Sequence, residues 1–180
     1  SYIRAIRLAS DRIETRGVIG LVTNAGFIEA NTADGLRKCL ADEFSSIYIF
    51  HLRGNARTSG EQRRKEKDNV FGQGTRTPIA ISLFVKNPQA KQHGKIYFHD
   101  IGDYLSQAQK LEKIAQFKSI NGIGAIDGWQ QIVPDAHHDW LKQRDDSFSD
   151  FISLGDKKDK NAVVIFENYS RGAETGRDAW

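Results

Sequence analysis

Three apolar, β-branched runs lie between Gly17 and Lys86, and their spacing constrains the fold more than any other feature of the chain. GVIGLVTNAGFI begins at Gly17, IYIFHL at Ile47 and TPIAISLFVK at Thr77. Each has strand length and the aromatic or β-branched content that packs on a pleated surface. The first is continuous enough to read as a strand buried on both faces. Pro78 stands where strand entry tolerates it. A segment with an apolar period from about Leu36 to Phe44 separates the first two runs, with Asn31, Thr32 and Asp34 as candidate N-caps. A long polar stretch separates the second from the third. Strand, helix, strand, long connection, strand is an α/β signature.

The flanking segments extend this pattern. Residues 2–15 read as an amphipathic helix that Gly17 ends, KIYFHDI as a fourth strand, and SQAQKLEKIAQF as a helix with Leu111, Ile114 and Ala115 on one face. Beyond Ile120 the pattern loosens, with AVVIFENY as a late strand. Cys39 falls in the stripe Leu36, Cys39, Leu40, Phe44 and reads as a small core residue. A lone cysteine makes no internal disulfide, which suits a reducing, cytoplasmic setting. No apolar run approaches the roughly 20 residues of a membrane span, so no membrane partner is expected. There is no methionine and the chain opens inside a helical pattern. On that ground it is expected to be a piece of a longer polypeptide.

Charge narrows the choice of partner. The net charge is +3, with 26 basic and 23 acidic residues. From Arg53 to Asp68 there are six basic residues (Arg53, Arg57, Arg63, Arg64, Lys65, Lys67) and three acidic ones. This one segment, read as a long exposed loop, therefore holds an excess equal to that of the whole chain. Arginines grip phosphate bidentately, and a connection of this length is unusual without a function. The composition alone suits equally a solvated surface excursion and a nucleic-acid contact.

No catalytic constellation stands out. His137 and His138 are adjacent, so on extended backbone their side chains point apart, and no Cys cluster or HExxH spacing supports a metal. His51, His93 and His99 lack a recognisable nucleophile partner. GNARTSG and GQGTRTP fit neither a Walker loop nor a dinucleotide fingerprint.

Four segments together, GVIGLVTNAGFI, ADGLRKCLADEF, SSIYIFHLRGNAR and NVFGQGTRTPIAISLFVK, resemble the downstream half of adenine-N6 DNA methyltransferases. The longer blocks RGNARTSGEQRRKEKDNVFGQGTRTPIAI, KIYFHDIGDYL and ENYSRGAETGRDAW, with SDRI, are similar to single-polypeptide, Type I-like restriction–modification enzymes. In those, a nuclease and a helicase are fused to a methyltransferase and a target-recognition domain.

The resemblance implies an α/β fold, the C-terminal half of a methyltransferase-type mixed sheet leading into an irregular α+β recognition region. Residues 1–120 would belong to the catalytic domain and 121–180 to the linker and the start of the recognition region, entered near SRGAETGRD. The first three strands would be strands five, six and seven, the seventh antiparallel between the other two. Thr23, Asn24, Phe27 and Phe71 would line the target-base pocket, Phe71 stacking on the base or else anchoring the core at the start of strand seven. Arg53, Arg57, Arg63, Arg64, Lys65 and Arg76 would contact DNA.

The family's S-adenosylmethionine-binding and Asn/Asp-Pro-Pro-Tyr/Phe motifs are absent here, since Pro78, Pro88 and Pro134 are isolated. The implied function is therefore a noncatalytic piece of a DNA adenine methyltransferase. Its partners would be DNA and the remainder of the parent polypeptide, which would hold the methyl donor. A noncatalytic nucleic-acid-binding module and a self-contained hydrolase are the competing readings.

Overall fold

The computed structural model describes residues 2–72, 74–144, 147 and 150–168. Two compact units are distinguished, Ser1–Gln143 and Arg144–Trp180. The first holds all the named elements. In chain order these are α1 (Tyr2–Arg12), β1 (Gly17–Asn24), α2 (Asp34–Glu43), β2 (Ser46–Arg53), α3 (Gly60–Glu66), β3 (Ile79–Lys86), β4 (Lys95–Asp100), α4 (Gln107–Phe117), α5 (Ile120–Ala125) and β5 (Gln130–Ile132). Two 3-10 turns, Ala25–Ile28 and Asn31–Ala33, join β1 to α2.

The strands form one mixed sheet in the order β1-β3-β2-β4-β5. β3 runs antiparallel to both neighbours, with Gly20 opposite Leu83 on one side and Tyr48 opposite Leu83 on the other. β2 and β4 are parallel, Ile47 facing Ile96. Consequently β1, β2 and β4 all point the same way, and their carboxyl ends share one end of the sheet. The third strand does lie antiparallel between the first two, as the resemblance implies.

Period-two alternation divides the core between the two faces. Ile19, Ile47, Ile49, Ala80, Phe84, Ile96 and Phe98 join the main cluster, to which Leu40 and Phe44 from the α2 region contribute. Phe50, Leu52, Ile79 and Ile101 join a second cluster with Ile123 of α5 and, partly buried, Ile114 and Phe117 of α4. Rings at typical aromatic separations tie these layers, with Phe44 and Phe84 centroids 5.4 Å apart and Phe50 and Phe117 5.7 Å apart.

Several sequence expectations need correction. β1 is an edge strand, not one buried on both faces: Val18 is 63% exposed and Val22 55%. Its AGFI end curls into a 3-10 turn. α2 begins after Ala33, which provides no side-chain cap, so none of the three expected caps acts. Cys39 is exposed. The buried slot of that helix belongs to Arg37, whose guanidinium bonds the carbonyls of Ala30 (2.7 Å), Phe27 (3.1 Å) and His138 (2.7 Å) and pairs with the Asp139 carboxylate. On α4 the inward residue is Lys110 and Leu111 is 49% exposed, while Ala115 also faces out.

In the second unit the expected late strand is a single bridge between Ser153 and Val164, with Val163 80% exposed. The SRGAETGRD segment lies outside the described residues. Among the described residues, no helix is long and apolar enough to cross a membrane.

Candidate nucleic-acid interface

Ligands of open α/β sheets bind beyond the carboxyl ends of the parallel strands, and here those ends meet the long connection between β2 and β3. Residues 54–78 leave β2 at that end and return to β3 there. Arg53 adopts a left-handed φ of +56° and Gly54 one of +89°, which turns the chain sharply out of the sheet. A Cβ on Gly54 would lie 2.9 Å from the Cα of Asn69, so only glycine fits.

The connection is built rather than loose. Its middle forms α3, and three buried polar side chains hold it. Asn69 donates to the carbonyls of Gly54 (3.1 Å) and Thr77 (2.9 Å), closing the two ends of the excursion, and accepts from the Phe71 N–H (3.0 Å). Glu66 accepts from the Asn55 N–H (2.9 Å) and from Gln62 (3.0 Å). Lys110, fully buried on α4, donates to the carbonyls of Leu52 (2.9 Å), Glu66 (3.0 Å) and Asp68 (2.6 Å). Burial lowers its ammonium to about 8, with the nearby Glu66 carboxylate opposing part of that effect. Tyr104 adds an outer tie from its hydroxyl to Glu61 (2.5 Å). The expectation of an exposed loop without structure is thus corrected.

The basic residues divide into two groups. Arg53 is committed inward: Nε pairs with Asp100 at 2.7 Å, and Nη1 pairs with Asp103. Two carboxylates thus hold its guanidinium at the end of the sheet. Burial pushes the Asp100 carboxyl up, but hydrogen bonds from His51, Arg53 and the Gly102 N–H outweigh it and hold the group at about 2. Lys65 leans toward Asp103 at 3.8 Å. Arg63 is half-buried and donates to the Lys67 carbonyl. Arg57, Arg64 and Arg76 are exposed. Arg64 pairs with Glu61, a solvent-facing contact of little energetic weight.

Phe71 lies on the same connection, 62% exposed on a turn closed by Gly72 N–H to Asn69 O at 3.0 Å. An anchor of the strand core would be covered, so that reading of Phe71 is ruled out. Phe27, by contrast, is fully buried between Tyr2 and Trp140, with centroids 6.5 and 6.2 Å away. It packs behind the turn after β1 and cannot touch a base.

Thr23 is half-buried, its hydroxyl 3.4 Å from the Asn24 carbonyl. Asn24 caps the 3-10 turn through the Gly26 N–H (2.7 Å). It also lines a polar cleft of about 290 Å3 at the end of β1, together with Tyr2, Gly26, Arg57 and Thr77. Asn24 and Arg57 line one cleft at this end of the sheet, where Arg53 also lies, engaged by Asp100 at the end of β4, whereas Phe27 is packed in the core. Sequence reasoning missed Asn69, Glu66, Lys110 and Arg37. Their only signal is a polar side chain at an inward register.

The adjacent histidines serve a turn. Asp135 accepts from the N–H groups of His137 (2.9 Å) and Asp139 (2.8 Å), and the His138 carbonyl accepts from Arg37. Among the described residues, no group of three His, Cys, Asp or Glu could hold a metal ion.

No family model matches the chain, and no curated protein matches it. Solved structures do. The chain is 41% identical to the ATP-dependent Type ISP restriction–modification enzyme LlaBIII bound to DNA, with a TM-score of 0.81 over 90% of this chain and 10% of that one. It is 45% identical to a nuclease-deletion mutant of the Type ISP enzyme LlaGI in complex with a DNA substrate mimic, with a TM-score of 0.79 over 88% of this chain and 15% of that one. It is 31% identical to the protein of the DrdV–DNA complex, with a TM-score of 0.75 over 92% and 16%. The chain thus spans between 10 and 16% of the length of these relatives. In sequence and in fold, it is similar to a segment of DNA-bound Type ISP restriction–modification enzymes.

Proposed function

We propose that this chain is the DNA-facing part of an adenine-N6 methyltransferase region within a restriction–modification enzyme. It supplies one wall of the target-adenine pocket and contacts to the DNA backbone, and it is not a catalyst by itself. The observation that carries this reading is the exposed Phe71, held by Asn69 on a connection that also carries the exposed Arg57, Arg64 and Arg76 and that leaves and rejoins the sheet at the carboxyl end of β2. The order β1-β3-β2, antiparallel at both junctions, supports reading these strands as five, seven and six of a methyltransferase sheet.

Methylation of an adenine in a duplex requires extruding it, because pairing occupies its N6. An extruded base loses its stacking neighbours, and an exposed ring on a rigid turn replaces one of them. The cleft beside Asn24 supplies polar groups at the same end, and Arg57, Arg64 and Arg76 meet phosphates. The residues here do not fit an S-adenosylmethionine site, since β1 runs into a 3-10 turn rather than a glycine-rich turn and helix. The methyl donor and the catalytic motif therefore belong to other parts of the parent polypeptide.

The test is methylation by the complete polypeptide carrying Phe71→Ala, read alongside fluorescence of 2-aminopurine at the target position. Slower methylation with unchanged folding supports the reading, and full-rate methylation refutes it.

A further inference from the structure

Between the last turn of α3 and the turn that carries Asn69 and Gly72 lies a cleft of about 310 Å3 that the reading above leaves unused. Arg63 and Lys67 form its cationic wall, and Gly54, Ala56, Gly72 and Gln107 are among the other residues that line it. Gly54 and Gly72 both have positive φ, +89° and +81°, so bare main chain forms part of the lining. Asp68 also reaches the cleft, but its carboxylate faces the Gln107 N–H at 3.4 Å. Two cations against one carboxylate leave the space net positive.

Among the described residues its one aliphatic side chain is the methyl of Ala56 and no aromatic ring lines it, so a stacked base would find no ring partner there. At ~30 Å3 per water, the volume suits a phosphate group that keeps part of its hydration. Gly72 directly follows Phe71, which places this cationic space one residue from the exposed ring.

We propose that the cleft binds a backbone phosphate of the DNA strand, the one flanking the base that stacks on Phe71. The proposal rests on the stacking role of Phe71. Arg63 and Lys67 would pair with the phosphate oxygens, and the ring would hold the base beside it, so the two contacts together fix a single nucleotide.

The test is a thermodynamic cycle in the complete polypeptide. A neutral methylphosphonate replaces, one at a time, each phosphate near the target adenine, and the dissociation constant is measured at fixed salt. Wild type should lose about tenfold at one flanking phosphate, the scale of a charge-assisted hydrogen bond. Arg63→Gln/Lys67→Gln, and the milder Lys67→Gln alone, should bind unmodified DNA more weakly and lose little more on that replacement. Asp68→Asn should bind unmodified DNA more tightly and gain nothing on the methylphosphonate. Equal losses in wild type and variants at both flanking phosphates, or coupling only at a remote one, would overturn the proposal. If Phe71→Ala slows methylation while the cycle stays additive, the phosphate site fails and the stacking role stands. If Phe71→Ala methylates at full rate, the stacking role fails and takes the phosphate assignment with it.

Discussion

Truncating Phe71 removes a side chain that is mostly in water, so the fold has little to lose. Phe71→Ala is expected to leave the thermal midpoint of the chain nearly unchanged, whereas a core phenylalanine would cost about 3–5 kcal/mol. Methylation by the complete polypeptide should slow by about 10- to 100-fold, from a stacking contribution of roughly 1–3 kcal/mol. Asp100 gives a different readout. Its folded pKa of about 2 lies below the ordinary 3.8, so its contribution is complete above about pH 4 and is lost as pH falls toward 2. Asp100→Asn should lower stability at neutral pH and flatten that acid limb, measured as thermal midpoint against pH. At this scale the sequence shows the exposed groups better than the buried ones. Arg57, Arg64, Arg76 and Phe71 are exposed, as the proposed contacts require. Arg53 differs because its partners, Asp100 and Asp103, come from a strand end far along the chain.

Two helices show why periodicity misassigned faces. On α2 the buried stripe runs through Arg37 and Leu40, and on α4 through Lys110 and partly buried Ile114 and Phe117. In each, a cation occupies an inward position because backbone carbonyls of the neighbouring connection surround it. Hydropathy assigns such a residue to solvent, so the stripe was shifted onto Cys39 in one helix and Leu111 in the other. β1 to β4 are legible because apolar runs need no partner information, although β1 lies at an edge, whereas the three-residue β5 leaves no such run and the apolar AVVIFENY forms only a bridge. The buried Lys110 makes the clearest prediction at this scale. Lys110→Met keeps the aliphatic stem and orphans three carbonyls, each costing about 1–3 kcal/mol if left dry. Stability should fall, and hydrogen exchange should accelerate in residues 53–69 before it does in β3. Unchanged exchange there would mean that Lys110 does not hold the connection.

Across the whole first unit, strand direction gathers the connection, the cleft beside Asn24 and the ring of Phe71 at one end of the sheet. The order β1-β3-β2 matched the expectation because the resemblance carried topology that local patterns do not encode. The likeness to restriction–modification enzymes reappears in the solved structures, in which the related proteins are bound to DNA or to a DNA mimic. The most direct test of the DNA contact is electrostatic. Binding of the complete polypeptide to duplex DNA is measured from low to moderate salt, with wild type compared with Arg57→Ala/Arg64→Ala/Arg76→Ala. Each lost phosphate contact should flatten the slope of log K against log salt by roughly 0.9, and any lost base contact should act on affinity without changing it. A slope shallower by two to three such steps, with the thermal midpoint unchanged, is the predicted result, whereas an unchanged slope would contradict it and leave these arginines as ordinary solvated surface.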